Sequence, residues 1–221
     1  MSFTIAKVGC FGLAGVGRST VIVASLGFEE RFLLRAVVRR GVRERDKVVV
    51  FMPERGDPRG EKAFQTLREL VEKAFPQVEV IKYEVDVQDF YGAVSKIRGI
   101  LKELALEGDL VFNLSGGQRL LILEILAAAL SLGVNAELEV ETEDSSGYVA
   151  VPLKVMHPLD VDNVDQEILR RAVSGVRLKD LEHLSVSKAT LWRKLKRLTE
   201  EGLLEMDRDK YKLSDLGRMW I

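Results

Sequence analysis

Short apolar runs alternate with longer stretches of helical periodicity along most of the chain. The apolar runs predict strands at residues 21–25, 48–52, 78–83 and 110–114, with a closing pair at 136–142 and 148–153. The periodic stretches predict helices at residues 29–40, 61–75, 90–106 and 118–132. Strands that alternate with helices of this length form a parallel sheet covered on both faces. We therefore predict an N-terminal α/β domain with a Rossmann-like, doubly wound and mainly parallel sheet.

The alternating pattern stops over residues 154–160, which include Pro158, so we predict two domains, residues 1–158 and 159–221. In the second, helical periodicity predicts helices at residues 163–173, 178–184 and 188–201, followed by a small hairpin of residues 203–206 and 211–213. Helix, helix, turn, helix and hairpin is the order of a winged helix-turn-helix, a DNA-binding module.

The third helix of this module is basic. Residues 188–199 contain five basic residues and no acidic one, although the whole chain has a net charge of −1. Leu191, Leu195 and Leu198 recur at helical spacing and should face the core. The side chains expected to point largely outward are Lys188, Thr190, Arg193, Lys194 and Arg197. A solvated helix face usually mixes both signs, so this face favours contact with DNA phosphates and base edges, provided that no acids neutralise it.

The last 37 residues, SVSKATLWRKLKRLTEEGLLEMDRDKYKLSDLGRMWI, resemble winged-helix transcription regulators of the ArsR/MarR kind. The resemblance implies binding to double-stranded promoter or operator DNA. It implies contacts from Ser187, Lys188, Thr190, Arg193 and Lys194, beside Arg197, and from Arg208 and Lys210 on the wing. Trp192 is expected to pack rather than contact bases.

The composition bears on the cellular compartment and on the kinds of site that we expect. The single cysteine, Cys10, excludes an intrachain disulfide and favours a reducing cytoplasm. The longest apolar run, residues 120–134, contains Glu124 and Ser131 and is too short to span a bilayer, and no secretory signal is evident. No cluster of ligands surrounds His157 or His183, so we expect no metal site and no resident cofactor.

A first glycine motif lies at residues 12–19, GLAGVGRS, and imitates a phosphate-binding P-loop. Arg18 replaces the expected lysine, and a strand follows where a P-loop opens a helix. We therefore expect residues 1–19 to be an atypical extension, either a leader strand with its loop or a flexible segment, without nucleotide hydrolysis.

Two further glycine motifs follow strands that are predicted to lie in the sheet. Gly27 and Phe28 come after the first strand, and the sequence NLSGGQR, residues 113–119, comes after the fourth. Open α/β sheets bind ligands at the carboxyl ends of their strands, and two glycines before a helix leave backbone N–H groups free for a phosphate. Arg119 adds a positive charge. A phosphate pocket is favoured over the alternative, a plain strand-to-helix turn.

These motifs, together with the winged helix, resemble the CRISPR-associated Rossmann-fold (CARF) winged-helix regulators over residues 20–221. The resemblance implies a homodimer, paired about a two-fold axis, that binds cyclic oligoadenylate, notably cyclic tetra-adenylate, and controls transcription at CRISPR–Cas antiviral loci. The implied pocket residues are Ser25, Gly27, Phe28, Asn113, Ser115, Gly116, Gly117, Gln118 and Arg119, with residues 53–57 at the rim. Residues 1–19 depart from the family pattern.

Two alternatives remain beside this DNA-binding regulator. The first is a CARF-type ring nuclease that cleaves cyclic oligoadenylate. No histidine or acid–base pair lies near either loop, where the candidates are Arg119 and Lys154, so we expect no catalytic residue and no enzyme. The second is an ArsR/MarR-like regulator whose α/β domain senses another metabolite or serves dimerisation.

Overall fold

A computed structural model describes residues 18–221, which form two compact units. The second unit is Pro158–Ile221, and the described residues before it form the first. Cys10 and the glycines at 12–17 lie outside the described residues. Within residues 18–221, no helix combines the length and the apolar character needed to cross a membrane.

The first unit alternates strands and helices. The strands are β1 (Ser19–Ser25), β2 (Lys47–Pro53), β3 (Glu79–Val85), β4 (Gly108–Asn113), β5 (Ala136–Glu141) and β6 (Tyr148–Pro152). The helices are α1 (Arg31–Arg40), α2 (Pro58–Ala74), α3 (Phe90–Glu107) and α4 (Arg119–Leu132), and a 3-10 turn, Leu153–Met156, follows β6.

In the described part of the chain, these six strands form one sheet in the order β3-β2-β1-β4-β5-β6. Neighbouring strands are parallel, except that β6 pairs antiparallel with β5. The predicted α/β class with a mainly parallel, Rossmann-like sheet is confirmed.

Both faces of the sheet are covered, as β1 shows. Val21 and Val23 pack in one apolar cluster with residues of α3 and α4, whereas Ile22 and Ala24 pack in another with residues of α1 and α2. Successive side chains of a strand point to opposite faces, so an all-apolar run is stable where both faces are buried.

Several predicted boundaries were wrong by one to three residues. Helix α2 begins at Pro58 rather than at residue 61, because Asp57 caps it, accepting a hydrogen bond from the Arg59 backbone N–H, and proline fits the first helical position. Strand β1 begins at Ser19, within the predicted extension, and Ser19 pairs with Gly108. Helix α3 continues to Glu107 and leads directly into β4.

The strand order places the two glycine loops together. From β1 the chain moves outward through β2 to β3, and β4 then returns to the other side of β1. The loops after β1 and β4 therefore lie at the point where the winding direction reverses, where open α/β sheets bind ligands.

The second unit contains α5 (Asn163–Ala172), a 3-10 turn (Leu178–Leu181), α6 (Lys188–Glu200), the antiparallel pair β7 (Leu204–Asp207) and β8 (Lys210–Leu213), and a final 3-10 turn (Gly217–Trp220). The helix predicted at residues 178–184 is thus a single 3-10 turn. Val176, between α5 and that turn, forms an antiparallel bridge with Tyr211 of β8. Leu191, Leu195 and Leu198 are buried in the core, as predicted.

Candidate ligand pocket and basic helix

The two glycine loops touch each other. A Cβ atom added to Gly27 would lie 3.1 Å from the backbone nitrogen of Gly117. Gly117 has φ +100°, and a Cβ there would lie 2.8 Å from the Cβ of Ser25. Both positions therefore require glycine, Gly117 for its backbone conformation as well as for space. The close approach makes the two loops one continuous surface.

This surface forms one side of a cavity of about 350 Å³. The cavity lies at the carboxyl edge of β1, β2 and β4 and extends to the hairpin between β5 and β6. Its lining residues are Leu26, Gly27, Phe28, Glu29, Arg31, Phe32, Met52, Pro53, Gly56, Asp57, Gly60, Gly116, Gly117, Gln118 and Glu143.

Five of the nine predicted pocket residues line the cavity: Gly27, Phe28, Gly116, Gly117 and Gln118. The other four are Ser25, Asn113, Ser115 and Arg119. Ser25 and Asn113 are buried at the ends of β1 and β4, and Arg119 is exposed at the first position of α4. Rim contacts were also expected from residues 53–57, of which Pro53, Gly56 and Asp57 line the cavity.

Two serines, the buried Ser25 and the partly buried Ser115, hold the loops and are not among the cavity lining. The hydroxyl of Ser25 donates a hydrogen bond to the carbonyl of Gly116, which ties the first loop to the second. The hydroxyl of Ser115 accepts one from the backbone N–H of Glu141, at 2.9 Å. The Glu141 carboxylate pairs with Arg35 of α1, with 2.7 Å between Oε1 and Nε. These contacts fix both glycine loops to α1 and β5.

One wall of the cavity is aromatic and is supported by an arginine that sequence reasoning missed. The guanidinium of Arg59 lies 4.1 Å from the centre of the Phe28 ring, within the range of a cation–π contact. Arg59 also binds the Asp57 carboxylate through two hydrogen bonds of 3.0 and 2.9 Å. These bonds lower the pKa of Asp57 to about 2, so its charge persists down to strongly acidic pH.

Three carboxylates line the cavity, a feature that a search for phosphate motifs did not anticipate. Two are paired: Glu29 with Arg31 at 2.6 Å, and Asp57 with Arg59. Glu143, from the hairpin between β5 and β6, has no ion-pair or hydrogen-bond partner among residues 18–221. No group of three or more His, Cys, Asp or Glu side chains within this range could hold a metal ion.

Comparison with known families decides the class of this domain. A family profile described as "Csa3 CRISPR-associated Rossmann-like domain" matches residues 20–152. The chain belongs to this Csa3 family. The matched range begins in β1 and ends with β6, so it includes both glycine loops. A comparison with curated proteins gives no match.

Solved structures similar to this Csa3-family chain are distant in sequence. Protein VC1899 from Vibrio cholerae matches with a TM-score of 0.46 and 13% identity, over 90% of this chain and 63% of its own. Can2 from Sulfobacillus thermosulfidooxidans, in complex with cyclic tetra-adenylate, has the same score and identity, over 90% and 62%. Enterococcus italicus Csm6, bound to cyclic hexa-2'-fluoro-hexa-dAMP, has a TM-score of 0.48 and 12% identity, over 83% and 55%. The Csa3-family chain thus spans less than two thirds of each.

The basic helix of this Csa3-family chain, α6, differs from its predicted orientation at two residues. Lys194 and Arg197 do not point freely outward. The Lys194 ammonium lies 2.5 Å from Asp162 and 3.0 Å from Asp165, and Arg197 pairs with Asp165. The side chain of Asp165 is 1% exposed and that of Lys194 is 16% exposed. Both cations are therefore neutralised by acids of α5 and its cap.

The same cluster fastens the start of the second unit. The Asp162 side chain caps α5 by accepting a hydrogen bond from the Asp165 backbone N–H at 2.9 Å. Arg197 donates a second hydrogen bond, of 3.1 Å, to the backbone carbonyl of Asp160. The chain at residues 160–165 is thereby bound to one side of α6.

The remaining predicted contacts lie on the first half of α6 and on the hairpin. Ser187 caps α6, and its hydroxyl lies 2.9 Å from that of Thr190. Lys188 is exposed and pairs with Glu182 at 2.9 Å. Arg193 is exposed and has no acidic partner in the described part of the chain. Arg208 and Lys210 flank the turn of the hairpin, Arg208 exposed and Lys210 partly buried.

Two further exposed residues of α6 were not predicted as contacts. Lys196 lies 5.6 Å from the centre of the Trp192 ring and 3.7 Å from Glu200. Trp192 is 51% exposed, although packing was expected. Helical periodicity did not indicate this exposure, since Trp192 directly follows the buried Leu191.

Proposed function

We propose that this chain is a CRISPR-associated transcriptional regulator. Its first unit binds cyclic oligoadenylate, with cyclic tetra-adenylate as the ligand, and its second unit is a winged helix-turn-helix that binds promoter DNA. The family membership supports the CRISPR association. The observation that carries the proposal is the cavity formed by two touching glycine loops at the reversal point of the sheet.

The α4 end of the cavity suits a phosphate. Gly116 and Gly117 lead into Gln118, the N-cap of α4, whose side chain makes no capping hydrogen bond. The first backbone N–H groups of a helix lack partners within the helix and point away from it, and the helix dipole favours negative charge there. Arg119, exposed at the first helical position, adds a full positive charge.

A homodimer completes the proposal, because a cyclic ligand with two-fold symmetry fits a site shared by two equal protomers. Leu120 and Leu123 on α4 are 41% and 56% exposed, beside the glycine loop. Large apolar side chains on one exposed helix face are typical of an interface. Pairing through α4 would bring two phosphate sites close to one axis.

The order of helices and strands in the second unit supports DNA binding. Helix α6 follows a turn and precedes the hairpin β7–β8, and an isolated bridge joins Val176 to Tyr211 at the edge of that hairpin. This is the order of a winged helix, in which the third helix enters the major groove. Lys194 and Arg197 are held by the buried Asp165, whereas the ion pairs of Lys188 and Lys196 are exposed. We therefore place the DNA contacts on Ser187, Lys188, Thr190, Arg193 and Lys196, with Arg208 and Lys210 on the wing.

Calorimetric titration with cyclic tetra-adenylate should show saturable binding at micromolar concentrations or below, with one ligand per dimer. Gly117→Ala should weaken it by about 10- to 100-fold, because a side chain there strains a backbone with positive φ and collides with Ser25. The matched control is Gly133→Ala at the other end of α4, where φ is +66° and nothing lies within 4 Å of the added Cβ.

Absence of heat with the unmodified protein would overturn the ligand assignment and favour a regulator that senses another metabolite. The proposal is also for a sensor rather than an enzyme. Incubation with labelled cyclic tetra-adenylate should return intact ligand, and linear products would instead indicate a ring nuclease.

DNA binding should depend on the exposed cations in the first half of α6. The double substitution Lys188→Ala/Arg193→Ala should reduce affinity for a duplex from the promoter of the protein's own CRISPR–Cas locus by roughly 10- to 100-fold. It should also reduce the slope of log affinity against log salt by about 2 for each protomer, since each phosphate contact contributes about one. Fluorescence anisotropy over a range of salt concentrations measures both.

Arg218→Ala is the matched control, since Arg218 is an exposed cation of the same unit outside α6 and the hairpin. Equal salt slopes for the unmodified protein and the double variant would show that DNA contacts another surface.

A further inference from the structure

Glu143 is the unpaired acid of the cavity. Glu29 and Asp57, which also line it, pair with Arg31 and Arg59, whereas Glu143 has no such partner among the described residues. A free carboxylate repels phosphate and accepts hydrogen bonds without donating any. The part of the cavity near Glu143 therefore suits a neutral group that donates hydrogen bonds.

The aromatic part of the lining suits a flat aromatic group. Phe28, which is 53% exposed, and the half-buried Phe32 both line the cavity. Arg59 covers part of the Phe28 ring, and Arg31 lies 5.0 Å from the centre of the Phe32 ring. Nucleobases stack on exposed phenyl rings of this kind, whatever their hydrogen-bonding edge. The volume of about 350 Å³ is at the small end of the range for ligand pockets, so the cavity takes part of a large ligand.

Hydrogen bonds within the hairpin and to α1 order the segment that carries Glu143. The backbone N–H of Thr142 donates to the carbonyl of Gly147 at 2.9 Å, which closes the turn. Asp144 accepts hydrogen bonds from the backbone and the hydroxyl of Ser146, at 3.0 and 2.8 Å. Arg35 of α1 reaches the hydroxyl of Ser145 at 3.0 Å. These bonds order the hairpin on both sides of Glu143, whose own side chain is exposed.

We propose that Glu143 selects adenine, by accepting a hydrogen bond from the exocyclic 6-amino group of a base that stacks in the cavity. The adjoining phosphate then lies at Gly116 and Gly117, at the start of α4, away from the negative charge. This inference rests on the proposed function, because it names the feature of cyclic tetra-adenylate that the pocket recognises. A purine without the 6-amino group offers no hydrogen-bond donor on this edge, so it leaves the carboxylate unpaired.

The test compares cyclic tetra-adenylate with the analogous ring in which hydrogen replaces each 6-amino group. Calorimetry with the unmodified full-length protein should show that this analogue binds roughly 10- to 100-fold more weakly. Glu143→Gln should reduce this preference to less than about 3-fold, because the glutamine amide is uncharged and can also donate a hydrogen bond to N1 of the unsubstituted purine. Glu30→Gln is the control: it removes a carboxylate next to the cavity that does not line it, and it should keep the original preference.

The outcomes separate the two proposals. If the unmodified protein binds neither ring, the proposed ligand class is wrong, and the role of Glu143 falls with it. If it binds both equally, or if Glu143→Gln keeps the full preference for adenine, the ligand class stands and the role of Glu143 is overturned.

Discussion

Replacing Asp165 by alanine is expected to lower the free energy of unfolding of the second unit by about 3–5 kcal/mol. Asp165 is buried in α5 and pairs with both Lys194 and Arg197. Removing a buried partner leaves the opposite charges desolvated and unpaired, which costs far more than the net value of the pair. A unit of this size has only a few kcal/mol of stability, so the variant should be largely unfolded in this unit.

The full-length chain can be used for this measurement. Both of its tryptophans, Trp192 and Trp220, lie in the second unit, so tryptophan fluorescence during urea unfolding reports on that unit. The matched control is Glu167→Ala on the same helix, which removes a more exposed ion pair with Arg171 and should cost about 1 kcal/mol or less. Equal losses for the two variants would show that the cluster around Asp165 is solvated.

The same ion-pair cluster makes the stability of the second unit sensitive to acid. Hydrogen bonding to Lys194 lowers the pKa of Asp162 to about 2, below the value of about 3.9 for an unfolded chain. An acid with a lowered pKa stabilises the folded state above the unfolded value, and this contribution is lost as pH falls to the folded value. The unfolding midpoint of the second unit should therefore decline between about pH 4 and pH 2.

Glu124→Met is expected to stabilise the first unit by about 3 kcal/mol at pH 8 and by much less at pH 4. Glu124 is fully buried in α4, among Leu121, Ile125 and Ala128, and neither carboxylate oxygen has a hydrogen-bond partner within the described residues. Burial, with a smaller contribution from the charge of Asp86, raises the pKa of Glu124 from 4.5 to about 7.

The sign of the pH dependence follows from this raised pKa. Below pH 4.5 the carboxyl is protonated in both the folded and the unfolded chain, so its charge costs nothing. Between pH 4.5 and pH 7 the unfolded chain loses its proton first, and the stability of the unmodified protein falls until the carboxyl is charged in both states. The advantage of methionine therefore grows over this range and is constant above it. Urea unfolding followed by far-ultraviolet circular dichroism at several pH values measures it.

The matched control for Glu124 is Glu103→Met on α3, which removes an exposed carboxylate. It should change stability by less than about 0.5 kcal/mol at every pH. A difference between Glu124→Met and the unmodified protein that does not vary with pH would show that Glu124 is solvated and ionised as in water.

The strands were predictable because they are buried on both faces. The all-apolar runs of β1 and β2 leave no solvent-facing positions to obscure their ends, and the glycines that follow β1 and β4 mark two loops of the cavity. The start of α2 could also have been found, since Asp57 followed by Pro58 is a cap signal; the helical pattern from residue 61 outweighed it.

The direction in which the α6 cations point was harder to predict from the sequence. Helical periodicity identifies the buried leucines, but it does not show which side chains of the neighbouring helix lie close to the α6 cations. Lys194 and Arg197 find Asp165 about 30 residues earlier in the chain, and that pairing depends on how α5 packs against α6. Likewise, Arg59 supports the cavity from the start of α2, and Glu143 lines it from the hairpin after β5. Their presence there depends on the order of strands in the sheet, which a search for glycine motifs does not address.

The contact between Arg197 and the carbonyl of Asp160 has a mechanical consequence. Together with the contact between Lys194 and Asp162, it holds the first residues of the second unit against α6. A rotation of the chain near residue 160 would therefore rotate α6 with it.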